Sequence, residues 1–184
     1  TISRQTERLN KLVEELDVLT LNAQPRIESD GEAEIVFLDQ LLIEAMSEFQ
    51  LLIEQEERDI YIQVSPESAK IKSHYDKLSR ILVNLLNNAF KYSDPGTKIE
   101  VVAQLTEQIL TISVKDEGQG IAPEDLDKIF KRLYRVETSR NMKTGGHGLG
   151  LAIARELAHQ LGGEIMVESQ CGLGSTFTFT LNLT

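Results

Sequence analysis

The stretch Asn84-Leu-Leu-Asn-Asn88-Ala-Phe-Lys91-Tyr92 is followed along this chain by three glycine-bearing segments. The three segments are Asp116-Glu-Gly118-Gln-Gly120, Gly146-His-Gly148-Leu-Gly150 and Gly172-Leu-Gly174-Ser175. Each piece alone is a weak signal, because aspartate and glycine also dominate ordinary turns. In this order they place amide oxygens, a carboxylate and free backbone N–H groups along one chain, and all of these groups can bind ligands.

The composition excludes several classes of protein. The 184 residues carry a formal net charge of -10, so the chain is a poor binder of polyanions, and we expect neither nucleic acid nor an anionic membrane as a partner. A single cysteine, Cys171, permits no internal disulfide, and three dispersed histidines match no zinc-site spacing. No apolar run approaches the roughly 20 residues that span a bilayer. We therefore expect a cytoplasmic chain without direct membrane contact.

A change of pattern along the chain predicts two parts joined by a linker. Residues 1–24 read as one helix, in which apolar residues recur every seven positions from Ile2 to Leu16. This heptad favours a bundle or coiled-coil partner over a helix lying on its own domain, because so short a helix is marginal alone. Residues 25–31 read as a linker, and residues 32–184 as a domain of mixed α and β structure.

Local periodicity in the second part predicts an α+β fold. Apolar residues at helical spacing indicate helices, and alternation of apolar and polar residues indicates strands. The predicted helices are 38–58, 76–92, 123–131 and 148–161, and the predicted strands are 34–37, 60–64, 69–71, 98–105, 109–115, 164–169 and 175–182. This order predicts a two-layer α/β sandwich with one mixed sheet and helices on one face.

The helix predicted at 76–92 has two unlike faces. Its core face carries Leu78, Leu82, Leu85 and Ala89. Asn84, Asn88 and Lys91 lie on the opposite face, although asparagine is a poor residue for a helix interior. That face is either merely solvated or functional. In the functional interpretation, the amide oxygen of Asn88 ligates magnesium and Lys91 lies near phosphate.

Asp116 ends a predicted strand and precedes two glycines. Gly118 and Gly120 permit positive φ and close approach of a ligand to the backbone. A carboxylate at this place can accept a hydrogen bond from an exocyclic amine, which adenine has where guanine has an oxygen. An ordinary hairpin-type turn is the alternative that the same residues allow.

The glycine-rich loop 145–150 leads directly into a predicted helix. Such a loop offers free N–H groups and the positive end of the helix dipole to a phosphate. A flexible linker is the alternative, but the strong helix former that follows argues against it. The chain lacks the GxxxxGK[ST] and GxGxxG patterns and the signature motifs of protein kinases. The predicted nucleotide site is therefore of another type.

In this order the motifs resemble those of the catalytic ATP-binding domain of sensor histidine kinases, in the GHKL (Bergerat-fold) ATPase superfamily. The resemblance covers about residues 32–184. The family's boxes have these counterparts: the N box is 84–92, the first glycine box 116–120, the F box 129–135, and the later glycine boxes 146–150 and 172–177.

The resemblance implies roles for individual residues. Asn88 stands where the family holds Mg²⁺, Asp116 where it bonds the adenine amine, and Lys91 and Arg135 where it touches the nucleotide. Asn88, Lys91 and Arg135 form the implied catalytic set. The implied ATP-binding set is Asn84, Asn88, Lys91, Tyr92, Asp116, Gly118, Gly120, Arg135, Gly146, Gly148, Leu149, Gly150 and Ser175. Residues 132–147 are the counterpart of a mobile lid, in which Leu133 stands where the family often has phenylalanine.

The implied activity is transfer of the γ-phosphate of Mg-ATP to a histidine. None of His74, His147 and His159 has the sequence context of the family's phospho-acceptor, so the acceptor is expected on a separate helix. Residues 1–24 resemble the second helix of the dimerisation hairpin. The resemblance implies a homodimeric parent protein, compatible with a membrane anchor, that passes phosphate to a response regulator. The alternative is a GHKL nucleotide-binding module, related to anti-sigma serine kinases or chaperone-type ATPases.

Overall fold

The computed structural model of the protein describes residues 32–134 and 148–183. The strands are β1 (Glu34–Phe37), β2 (Asp59–Ser65), β3 (Lys70–Ser73), β4 (Lys98–Leu105), β5 (Ile109–Asp116), β6 (Gly163–Gln170) and β7 (Gly174–Asn182). The helices are α1 (Leu38–Ser47), α2 (Gln50–Glu56), α3 (Tyr75–Tyr92) and α4 (Gly150–Gln160), with a 3₁₀ turn at Pro123–Asp125. The helix predicted at 1–24 lies outside the described residues.

Five strands form one mixed sheet in the order β2-β4-β5-β7-β6. β2 runs parallel to β4, and the other neighbouring pairs are antiparallel. α3 packs on α4, and these helices contact β5 and β6 respectively. The predicted α+β fold is therefore confirmed. No helix in the two described ranges is long and apolar enough to cross a bilayer.

A second, smaller sheet accompanies the main one. β1 pairs with β3 in an antiparallel register that sets Glu34 opposite Ser73 and Phe37 opposite Lys70. The sequence pattern predicts strands at both places, but it does not predict their pairing. Alternation of apolar and polar residues shows that a segment is extended, whereas the choice of partner depends on contacts far apart in the chain.

The prediction of a single helix at 38–58 is wrong, because the structure has two helices there. α1 ends at Ser47 and α2 begins at Gln50. Between them Phe49 is buried and stacks on Phe90 of α3, with 4.6 Å between the ring centres. This aromatic contact fixes the chain where the helix is interrupted. The helix predicted at 123–131 is likewise only a 3₁₀ turn at Pro123–Asp125, followed by further turns.

Two apolar rows of the sheet end in polar residues at one edge of the core. The predicted core face of α3 is buried. The inward row of β5 is buried up to Val114 and then ends at Asp116, while the inward row of β7 begins at Ser175 and continues with Phe177. The register places Asp116 opposite Ser175. This edge therefore presents buried polar groups beside the helices.

Candidate nucleotide-binding site

Asp116 is the buried carboxylate at this edge of the core, and it is only 3% exposed. Its Oδ1 accepts a hydrogen bond of 2.8 Å from the backbone N–H of Gly118, and the backbone N–H of Ser175 also bonds to the carboxylate. Burial raises the pKa of Asp116, while the two N–H groups and the charge of Arg58 act in the opposite direction. A carboxylate can accept about four hydrogen bonds, so capacity remains for a donor on a ligand.

The first glycine box lies where a side chain has no room. A Cβ on Gly118 would lie 2.2 Å from the backbone oxygen of Tyr92, and one on Gly120 would lie 2.0 Å from that of Gln170. The backbone N–H of Gln119 donates to the oxygen of Tyr92 at 3.1 Å. The box is therefore seated between the end of α3 and the turn from β6 to β7. It is not a hairpin turn, because the next element in the described chain is the 3₁₀ turn and not a strand.

Replacing Gly174 by alanine is expected to destabilise the domain more than the same change at Gly172. Both glycines have positive φ, 103° and 78°, so each alanine costs about 1–2 kcal/mol of backbone strain. At Gly174 the new Cβ would also lie 2.0 Å from the backbone oxygen of Asp116, whereas at Gly172 nothing lies within 4 Å. Chemical denaturation measures both free energies of unfolding. Equal destabilisation would contradict the close contact.

The polar face of α3 holds two asparagines one turn apart. Asn84 donates from Nδ2 to the backbone oxygen of Arg80 at 2.8 Å, and its Oδ1 would lie 2.9 Å from a Cβ on Gly150. Asn84 therefore contacts the start of α4. Asn88 is half-exposed, and its amide makes no hydrogen bond to another described residue. Its oxygen is available for a cation or water.

Lys91 and Tyr92 close α3 and lie next to the first glycine box. The Nζ atom of Lys91 lies 5.0 Å from the centre of the Tyr92 ring, which is a cation–π contact. The backbone oxygen of Tyr92 is the acceptor that the glycine box uses. The contacts of both side chains with a nucleotide stay predictions.

The second glycine segment, 146–150, leads into α4. A Cβ on Gly148 would lie 2.7 Å from the oxygen of Tyr134, and the N–H of Leu133 donates to the oxygen of Gly148 at 3.0 Å. These contacts join the described residues on either side of 135–147. Leu149 is buried and Gly150 begins the helix. The first N–H groups of a helix have no intrahelical partner, so this terminus suits a phosphate.

Ser175 takes part in a hydrogen-bond cluster within the protein. Its hydroxyl lies 2.9 Å from that of Ser169, which accepts from the N–H of Ile121 and donates to the oxygen of Gly174. Since Ser169 gives its proton to Gly174, Ser175 donates to Ser169 and keeps its acceptor capacity. Ser169 was missed from the sequence, because a lone serine in a strand belongs to no motif.

Arg58 is the second residue that the sequence does not reveal. It lies outside every motif, yet its guanidinium is buried and bonds to the end of α3. From sequence, a charged residue just before a strand is expected to be exposed to solvent. Only its hydrogen bonds to residues distant in the chain show that Arg58 is buried. Two predicted site residues, Arg135 and Gly146, lie outside the described residues, as do positions 135–147 of the predicted lid.

The described donors fit a magnesium nucleotide. No group of three or more His, Cys, Asp or Glu among the described residues could hold a metal ion. Magnesium, however, often takes one or two protein oxygens and leaves the rest of its shell to water and phosphates, for which the amide of Asn88 is chemically suited. The buried acceptor at Asp116, beside the close-packed glycine loop, suits a base with an amine.

Comparison with known proteins agrees with this geometry. The histidine protein kinase SaeS of Staphylococcus epidermidis is 39% identical over 181 residues, which cover 97% of this chain and 50% of SaeS. SaeS of Staphylococcus aureus is 38% identical over 182 residues, with 97% and 51% covered. This chain therefore spans about half the length of these curated relatives.

Solved structures give the same result. The histidine kinase AdeS of Acinetobacter baumannii superposes with a TM-score of 0.78 at 26% identity, covering 98% of this chain and 81% of that one. Full-length ShkA in complex with AMPPNP superposes with a TM-score of 0.82 at 26% identity, covering 98% of this chain and 37% of that one.

The fold and the glycine-lined site define an ATPase domain. Residues 73–184 match the family described as histidine kinase-, DNA gyrase B- and HSP90-like ATPase, and the chain belongs to that family. Within the family, its relatives and structural neighbours identify it as the ATP-binding catalytic domain of a histidine kinase.

Proposed function

We propose that this chain binds Mg-ATP beside Asp116 and transfers the γ-phosphate to a histidine on a separate helix of a two-component sensor kinase. The observation that carries the proposal is the placement of a buried carboxylate with spare acceptor capacity. It lies at the end of the central strand β5, beside a loop that needs glycine at two positions and next to the end of α3. An adenine amine supplies the donor that this carboxylate lacks.

The protein's contribution to phosphoryl transfer is positioning and charge neutralisation. Asp116 fixes the base, Lys91 and the N-terminus of α4 face the phosphates, and Arg135 adds a second positive charge. Asn88 holds Mg²⁺, which when bound neutralises phosphate charge. Asn84 lies against the first residue of α4, where a Cβ on Gly150 would come within 2.9 Å of the Asn84 side-chain oxygen.

The remaining partners follow from the family. The whole relatives are about twice as long as this chain and are histidine protein kinases. We therefore propose that the chain is a cytoplasmic catalytic domain of a homodimeric parent protein. Residues 1–24 are the second helix of the dimerisation hairpin of that parent, and the acceptor histidine lies on the first helix. A response regulator receives the phosphate from that histidine.

Labelling with γ-³²P-ATP tests the proposal directly. The chain alone is expected to bind Mg-ATP and to remain unlabelled, because none of its three histidines has an acceptor context. Addition of the parent's dimerisation hairpin with its histidine is expected to give acid-labile, alkali-stable label on the hairpin. The same hairpin with its histidine changed to glutamine serves as the control.

Three outcomes would contradict the proposal. Acid-labile label on His74, His147 or His159 of the chain alone would place the acceptor within it. Label on serine would favour the anti-sigma type of kinase. Steady release of phosphate by the chain alone, with no label on the hairpin, would favour the chaperone type of ATPase.

A further inference from the structure

Arg58 is buried between α2 and β2, although it belongs to none of the nucleotide motifs. It is 7% exposed, and it donates five hydrogen bonds to groups around the C-terminal end of α3 and to Glu56. The acceptors are Ser93 Oγ at 2.5 Å, Thr97 Oγ1 at 3.0 Å, the backbone oxygens of Phe90 at 3.2 Å and Ser93 at 2.9 Å, and Glu56 Oε2 at 2.8 Å.

These bonds satisfy groups that a helix leaves unpaired. The last carbonyl groups of a helix have no partner within it, and a cation there also interacts favourably with the helix dipole. Arg58 bonds to the oxygen of Phe90 and lies over its ring, with the guanidinium carbon 5.5 Å from the ring centre. Glu56 approaches the same guanidinium at 2.6 Å, so the buried charge is paired.

The same end of α3 is bonded on its other side to the first glycine box. The backbone oxygen of Tyr92 accepts from Gln119, and it limits the space at Gly118. Two neighbouring carbonyl groups, those of Tyr92 and Ser93, are thus bonded to the nucleotide loop and to Arg58 respectively. A shift of this turn would move the wall of the predicted adenine pocket directly.

We propose that Arg58 is a positioning residue of the nucleotide site, which fixes the C-terminal turn of α3 against the Asp116–Gly120 loop and so sets the shape of the adenine pocket. This inference rests on the proposed function, since it assigns a role to a residue that touches the pocket wall and not the nucleotide. It predicts that loss of Arg58 weakens nucleotide binding in a domain that remains folded.

Arg58 also acts on Asp116 through its charge. Its charge lowers the pKa of the Asp116 carboxyl, in opposition to burial. The other groups bonded to that carboxylate are backbone N–H groups, and among its charged neighbours Lys115 and Glu117 are exposed. Removing Arg58 therefore raises the pKa of Asp116 further. Below that pKa the carboxyl carries its own proton and loses acceptor capacity for the adenine amine.

The test compares three variants in titrations with Mg-ADP at a series of pH values from pH 8 downward. Arg58→Met removes both the charge and the bonds, and Arg58→Lys keeps the charge without the fork of donors. Lys72→Met, an exposed cation on β3, is the control. Circular dichroism at the titration temperature confirms that each variant is folded.

We expect Arg58→Met to weaken ADP binding by about tenfold or more at pH 8, and by a factor that grows as the pH is lowered. Arg58→Lys is expected to lose affinity throughout the series but to keep the wild-type pH dependence. Lys72→Met should match wild type throughout. A folded Arg58→Met variant with wild-type affinity and pH profile would overturn the inference and leave Arg58 a purely structural residue.

Two further outcomes are separable. If Arg58→Met does not fold, Thr97→Val is tested instead, because it removes one acceptor of the guanidinium. We expect this variant to lose less affinity than Arg58→Met. Wild-type binding by Thr97→Val would count against the inference. Failure of the wild-type chain itself to bind ADP would overturn the proposed function and not merely the role of Arg58.

Discussion

Asp116→Asn is expected to lower ATP affinity by about one to two decades while the domain stays folded. A hydrogen bond to a charged group contributes roughly 1.5–3 kcal/mol, and the neutral amide cannot provide it. Asparagine can still accept the N–H of Gly118 through its oxygen, but its NH₂ group would then face the donor amine of adenine. The loss should be larger for ATP than for a nucleotide whose base carries an oxygen at that position.

The effect of Asp116→Asn on the free protein should be small or favourable. Because burial raises the pKa of Asp116 in the fold, the folded state favours the protonated carboxyl. The stability that this group contributes is present at low pH and is lost as the pH rises through the folded pKa. At neutral pH the ionised group is therefore a cost to folding, and a neutral asparagine removes that cost.

Thermal shift separates the two effects. Ligand at roughly 100 times its dissociation constant stabilises the wild-type domain by about 2.7 kcal/mol, which corresponds to several degrees for a domain of this size. The variant should melt at or above the wild-type temperature without ligand and shift little at the same Mg-ATP concentration. Asp94→Asn, an exposed change beyond the end of α3, is the control. A full wild-type shift in Asp116→Asn would sink the assignment of the adenine acceptor.

The strands of the main sheet and the two helices that bear on the site could be predicted from local patterns, whereas the order of the strands could not. The core face of α3 follows from apolar spacing, and the strands around Asp116 follow from alternation, because both depend on neighbours in the sequence. The interruption between α1 and α2 could not be predicted in this way. At the interruption Phe49 stacks on Phe90, a residue distant in the chain, and local periodicity carries no signal of such a contact.

The residues of the site also fall into two groups, those that a local pattern predicts and those that it does not. Asp116, Gly118 and Gly120 belong to one short segment, and the structure places them together at the edge of the core. Arg58 bonds to a residue 35 positions away, and Ser169 to one 48 positions away. Both are polar residues whose surroundings are created only by folding. A local sequence pattern can reveal residues that contact a ligand. It reveals less readily the distant residues that hold those ligand contacts in position.

Asn88→Ala is expected to abolish the part of ATP binding that depends on magnesium, and to reduce phosphoryl transfer by on the order of a hundredfold or more, as loss of one charge-stabilising group commonly does. The reason is that Asn88 offers a partly exposed amide oxygen on the polar face of α3, with no other described partner. Titrations with ATP in the presence of Mg²⁺ and of EDTA measure the metal-dependent part of the affinity. Wild type should show a clear difference between the two conditions, and the variant almost none.

Asn87→Ala is the matched control for this change, because Asn87 is the adjacent asparagine on α3 and is exposed. Alanine is the better helix former by up to about 0.7 kcal/mol, so both variants should be as stable as wild type or slightly more stable. A merely solvated face predicts that both changes leave binding intact. If Asn88 ligates magnesium, both variants are as stable as wild type or more stable, but only Asn88→Ala loses the effect of Mg²⁺ on ATP affinity. An Asn88→Ala variant that still binds ATP more tightly with Mg²⁺ than with EDTA, by the wild-type factor, would remove Asn88 from the metal site.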